Sequence, residues 1–142
     1  MTYTTTETGT AGASKRLHVT LWAVQIVLAL IFAMTGTMKV AQPIAALAAS
    51  LHWPGQVPPA LVRLLGVAEL LGAAGLILPA ATRIAPALTP VAAGALTLVM
   101  VPASLWHISR GEFAVLAVPV VVGALSAFVA WGRSRRAPIT PR

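Results

Sequence analysis

An all-α fold, an integral membrane bundle of four helices running up-down-up-down, is predicted by three features of the sequence. Of its 142 residues, 58% are hydrophobic and only 9% are charged, whereas soluble domains carry about 25% charged residues. The apolar residues collect into four runs, each near the roughly 20 residues that a helix needs to cross the hydrocarbon. Short segments of Pro, Gly and basic residues separate the last three runs, and short loops make neighbouring helices antiparallel.

The first 17 residues open with MTYTTTETGTAGAS, a Thr- and Gly-rich stretch without apolar period. It is expected to be a disordered tail. Lys15 and Arg16 lead into the first helix, about residues 18–40. A positive start before apolar residues is also how a secretion signal begins. This run is longer than the 7–15 residues of a signal core and no small-x-small cleavage site follows it, so it is read as a retained span. Residues 43–58 then hold an Ala-rich amphipathic stretch and the sequence His52-Trp53-Pro54-Gly55, which suits a turn at headgroup level.

The second helix, about residues 59–80, starts on Pro59, a position where the missing N–H is harmless. Pro79, Thr82 and Arg83 are expected to close it. The third covers about residues 86–108, with Pro102 inside it, and Ser109 to Glu112 form a polar turn. The fourth covers about residues 113–132 with Pro119 inside it, followed by a basic tail, 133–142. Membrane helices tolerate such prolines, with kinks where carbonyls are freed. The whole region 18–132 reads as one transmembrane domain.

Ten Lys/Arg against three acids give a net charge of +7. In a soluble domain this would suggest nucleic acid. Here the cations flank apolar runs and form no stripe with interleaved aromatics, so they read as topology charges and no nucleic-acid partner is expected. Lys15, Arg16, Arg83, Arg133, Arg135, Arg136 and Arg142 fall on one side of four spans, and Lys39, Arg63 and Arg110 on the other. The positive-inside bias then places both termini in the cytoplasm. Without cysteine there is no thiolate metal site or thiol redox chemistry, and three acids leave no multi-carboxylate metal site.

Candidate chemistry lies in polar residues that the bilayer penalises. Glu69 sits about halfway along the second helix in an apolar run, where a charge costs about 2.5–3.5 kcal/mol even on lenient scales. It is expected to face the bundle, either paired with a cation or protonated. Arg63, six residues earlier, is about 120° away around the helix, so Lys39 or His107 from a neighbouring helix is the better mate. Thr35 and Lys39 share one face of the first helix, and Met100, Ser104 and His107 one face of the third. The converging faces predict a pocket lined by Glu69, Lys39, Arg63, Thr35, Ser104, Met100 and His107, and capped by Trp53 and Trp106. The bland alternatives are that Glu69 only fixes helix packing, that Lys39 snorkels, and that His107 is an interfacial residue. His18, His52 and His107 do not share one depth, so intrinsic haem is not expected.

The segments MTGTMKV (34–40), LVRLLGVAELLGAAGLILPA (61–80), RIAPALTPVAAGALTLVM (83–100) and HISRGE (107–112) resemble the DoxX-like family of small bacterial membrane proteins. The resemblance spans about residues 20–132. It rests on the R-x-x-G-x-x-E pattern of Arg63, Gly66 and Glu69, on Pro79, and on the H-x-x-R-G-E turn. It implies a four-helix protein of the bacterial inner membrane, tied to a terminal quinol oxidase or to a membrane oxidoreductase complex.

Together these readings lead to an accessory subunit that binds a quinone or isoprenoid-like lipid and serves a partner oxidoreductase. It has no intrinsic cofactor, and a bound quinone is the one cofactor it would take. The alternative is an enzyme that isomerises a lipophilic substrate or opens its epoxide, with Glu69 as proton donor or acceptor and His107 as its catalytic partner. Gly66, Ala68, Gly72, Ala73, Ala74 and Gly75 thicken along the second helix, and such a face serves either the bundle or a homodimer.

Overall fold

The computed structural model describes residues 8–142; residues 1–7, which belong to the expected tail, lie outside it. The described chain is all-α, with helices α1 (Thr8–Ala41), α2 (Ile44–Leu51), α3 (Pro59–Thr82), α4 (Leu88–Ser109) and α5 (Phe113–Trp131). A 3-10 turn, Trp53–Gln56, follows α2, and a π turn, Gly132–Arg136, follows α5. Four segments are long and apolar enough to cross a membrane: Ser14–Ala41, Pro59–Thr82, Leu88–Ser109 and Phe113–Arg136.

The contacts between helices fit the up-down-up-down order. Gly36 of α1 meets Gly66 of α3, while Gln25 of α1 reaches Leu76 of α3. Gly72 and Gly75 lie against Leu96 and Ala92 of α4. Gly123 of α5 lies against Met100. The ring closes where Gly132, just after α5, packs on Leu21 of α1. The small residues Gly66, Gly72 and Gly75 are thus taken up inside the bundle, where they let backbones approach without a hydrophobic drive. Leu21, Leu28, Phe32, Leu76, Leu96 and Val129 form the core, while Leu30, Leu71 and Leu98 turn outward and are largely exposed. An apolar exterior around an apolar core is what a lipid solvent selects.

Two helices run past the bounds expected from the sequence. Helix α1 begins at Thr8, so residues 8–17 are helical rather than disordered. Extending a helix that already exists needs no new nucleus, which favours this extra length. Helix α3 continues through Pro79 to Thr82 and ends at Arg83, whose φ is 60°. The ring of Pro79 removes one donor without halting a helix whose flanks are buried by neighbours.

The basic tail is not a free tail. Arg133 is 3% exposed. Arg83 donates through Nε and Nη2 to Thr140, and Arg142 donates through Nε to the carbonyl of Thr82. The last carbonyls of α3 have no partner inside their helix, so the returning chain supplies donors that the sequence pattern did not reveal.

Candidate functional site

The site is built at the end of the bundle opposite the basic tail. The close approach of Gly36 and Gly66 brings the last turns of α1 onto the first half of α3. Thr35 and Lys39, one turn apart, therefore face Glu69. Lys39 Nζ donates to both carboxylate oxygens of Glu69, at 2.6 and 2.7 Å. Thr35 Oγ1 donates to Oε2 at 2.9 Å. Glu69 is 3% and Lys39 8% exposed, so this is a buried ion pair with both carboxylate oxygens engaged, the condition under which such burial is tolerated. Arg63 Nη1 donates to the backbone carbonyl of Lys39, one of the orphan acceptors in the last turn of α1. Arg63 thus holds the helix end that carries Lys39 and does not line the cavities beside it.

Two cavities flank this pair and share Lys39, Trp53, Glu69, Met100 and His107 in their walls. One, of about 250 Å³, runs between α3 and α4 past Leu65, Ala103 and Trp106. The other, of about 660 Å³, runs between α1 and α5 past Phe32, Thr35, His52 and Val118. Their walls are mainly apolar, and Lys39 lies 6.0 Å from the centre of the Trp53 ring. The indole N–H of Trp106, in the wall of the smaller cavity, is buried without a hydrogen-bond partner.

Helix α4 treats its four expected site residues differently: Trp106 lines the smaller cavity alone. Met100 and His107 line both cavities. Ser104 instead donates to the carbonyl of Met100 at 2.8 Å and lies in a separate groove between α4 and α5. At about 100° per residue, Ser104 is about 60° from His107 around the helix, enough to turn a short side chain away.

His107 does not pair with Glu69. Its Nδ1 is 2.7 Å from Glu112 Oε2, in the turn before α5, and Arg110 Nε donates to the other oxygen at 3.3 Å. The hydrogen bond from His107 holds the Glu112 carboxyl below its ordinary range, with burial acting in the opposite direction and Arg110 adding to the lowering. Glu69 and Glu112 thus have separate partners: of the two mates expected for Glu69 the structure pairs it with Lys39, while His107 turns to Glu112, and both pairs face one cavity system. Glu112 and His52 are the wall residues that the sequence reading left in turns. Their only signal was that both turns adjoin helix ends carrying a candidate residue.

A second polar cluster lies at the basic end. Gln25 donates to the carbonyl of Leu76 and accepts from Arg133 Nε, both at 2.6 Å. Arg133 Nη1 lies 3.1 Å from His18 Nδ1, and its guanidinium is 5.5 Å from the ring of Trp22. Gln25, an amide in the middle of an apolar run, was the available signal for this cluster.

Among the described residues no group of three or more His, Cys, Asp or Glu side chains is arranged to hold a metal ion. No curated protein and no solved structure matches the chain. Residues 23–129 match the model of the DoxX-like family. That match takes in the Lys39–Glu69 pair, both cavities and most of all four spans, and the chain is a multi-pass membrane protein that belongs to the DoxX-like family.

Proposed function

We propose that this protein binds a lipophilic small molecule with a polar, hydrogen-bonding head, of the quinone or isoprenoid-lipid class, and serves a membrane oxidoreductase as an accessory subunit in a bacterial inner membrane. The observation that carries the reading is the buried Lys39–Glu69 pair standing in the shared wall of two apolar cavities. Ligand sites of this kind combine mainly apolar walls with a few fixed polar groups. The unpartnered Trp106 N–H adds a donor suited to a carbonyl. Val115 and Val118, in the wall of the larger cavity, are themselves exposed between the helices, which gives an isoprenoid tail a route to the bilayer. The tie to an oxidoreductase rests on the family resemblance alone.

The test uses a short-chain benzoquinone added to the full-length protein in lipid nanodiscs, read by quenching of tryptophan fluorescence. A saturable signal that weakens about tenfold or more in Glu69→Gln and Trp53→Phe supports the site. Linear quenching, identical in all three proteins, is simple partition into lipid and overturns it.

The His107–Glu112 pair favours a second reading, in which the chain is an enzyme. A carboxylate bonded to Nδ1 orients an imidazole for proton transfer, and His107 lines both cavities. Isomerisation or epoxide opening of a lipophilic substrate would then use this dyad, with Glu69 as the second proton-bearing group. In that case Glu112→Gln abolishes turnover and leaves quinone quenching intact.

A further inference from the structure

The basic end of the bundle contains a cation that nothing in the described chain neutralises. Arg133 is 3% exposed, yet the ion pairs among the described residues are Lys39–Glu69, His107–Glu112 and Arg110–Glu112, all at the other end. The one other acid of the sequence, Glu7, lies outside the described residues. The hydrogen bonds of Arg133 go to neutral acceptors: Gln25, His18 and the carbonyl of Ala137. Its Nη2 is buried with no partner at all. A buried charge that is solvated only by dipoles is expensive unless an opposite charge comes close.

A cavity of about 450 Å³ adjoins this cation, and its wall includes two of the side chains that Arg133 touches, His18 and Trp22. Arg83 and Thr140 complete its polar lining. A guanidinium has no acceptor, so the His18–Arg133 bond makes Nδ1 of His18 the acceptor and leaves its Nε2 carrying a proton to donate. Arg83 uses Nε and Nη2 on Thr140 and Pro141, and its Nη1 remains for a ligand. Arg142 anchors the strap that forms one side of the cavity by bonding to Thr82. Val19 and Ile84, each next in sequence to a polar wall residue, present exposed apolar side chains.

We propose that this cavity holds a phosphate-bearing anion, with Arg83 and His18 as direct donors and the uncompensated charge of Arg133 attracting it from behind. Basic pockets between spans at such an interface are suited to anionic lipid headgroups, and in a low-dielectric wall the field of Arg133 acts over the short distance through His18. An anionic phospholipid would place its phosphate against Arg83 and its chains along Val19 and Ile84. Free phosphate would use the same donors without the chains. The site is separate from the Lys39–Glu69 cavities and does not depend on what they bind.

The experiment is thermal unfolding of the delipidated, full-length protein in a neutral detergent. Phosphatidylglycerol, phosphatidylcholine, sodium phosphate and sodium chloride are each added, the salts at equal ionic strength. Phosphatidylglycerol at saturation is expected to raise the midpoint by about 5–10 °C, and phosphatidylcholine and chloride to leave it unchanged. A matching rise with sodium phosphate identifies the free anion as sufficient; a rise with phosphatidylglycerol alone identifies the lipid. Arg83→Gln, an exposed position that should fold normally, loses most of the shift. Arg133→Met should lose the shift as well, because the charge that the anion neutralises is gone. Equal responses to phosphatidylglycerol and phosphatidylcholine with none to phosphate, or a full shift retained in Arg83→Gln, overturn the proposal.

Discussion

Gly36 and Gly66 touch where α1 crosses α3, and the contact is reciprocal. A methyl group on Gly36 would lie 2.8 Å from the carbonyl oxygen of Gly66, and one on Gly66 would lie 3.0 Å from the carbonyl oxygen of Gly36. The same added methyl on Gly66 would stand 2.8 Å from Cβ of Lys39. The absence of two side chains therefore sets the distance over which Lys39 reaches Glu69.

Gly66→Ala is accordingly expected to destabilise the bundle by about 1–3 kcal/mol, the usual penalty of overpacking. Gly94→Ala is the control. Its added methyl meets nothing within 4 Å, and helix propensity favours alanine by up to about 1 kcal/mol. Unfolding in mixed detergent micelles compares the two, and equal destabilisation would show that the crossing is not close-packed.

Breaking the buried pair from one side leaves the other charge stranded. Glu69→Gln and Lys39→Met should each cost about 3–5 kcal/mol. Combining these two changes should cost clearly less than their sum, because no charge is then left alone. Thr35→Val, which removes one hydrogen bond to Glu69, should cost about 1 kcal/mol. A double-mutant cycle measures all of these, and simple additivity would mean the pair does not act as a unit.

Glu112 makes a prediction about acid. Its carboxyl is held below the usual value of 4.5, first by His107, with Arg110 adding to the lowering. A lowered folded-state value means that its contribution to stability is present above 4.5 and disappears as the pH falls through the lower, folded value. The stability difference between the wild type and Glu112→Gln should therefore close in that acid range. A gap that widens toward acid would reverse the sign. Equilibrium unfolding at a series of pH values between 3 and 6 reads the trend.

The turn between α4 and α5 depends on Gly111, whose φ is 67°. A Cβ there meets no neighbour, so Gly111→Ala isolates backbone strain, about 1–2 kcal/mol. Gly111→Asn should be milder, since Asn tolerates this region. The same unfolding assay separates them, and an alanine variant as stable as the wild type would remove the constraint on this turn.

The four spans were legible because lipid leaves a composition signature in the chain that no packing detail overrides. Glu69 was legible for the same reason: a carboxyl at mid-span has to face the bundle, and only a few cations lie at a suitable depth. The correct mate, Lys39, stood beside His107 as an equal candidate, since sequence gives depth but not the turn-borne Glu112 that engages His107. Ser104 shows the limit of helical spacing, because a 60° offset and a hydroxyl satisfied by its own helix suffice to remove it from the site. Arg133 was misread for a deeper reason. Its position after the last apolar run looks like any topology charge, and only the returning chain and Gln25 reveal that it is buried.

The Gln25–Arg133 bond joins residues 108 positions apart and so has a bearing on biogenesis. Helices α1, α3, α4 and α5 leave the ribosome in that order, and each can pack on one made before it. The amide of Gln25 nevertheless has no guanidinium to receive until the segment after α5 is synthesised. Ring closure is thus a late event of insertion, and a nascent chain stalled before Arg133 would lack the bond that fastens the segment after its last span to its first.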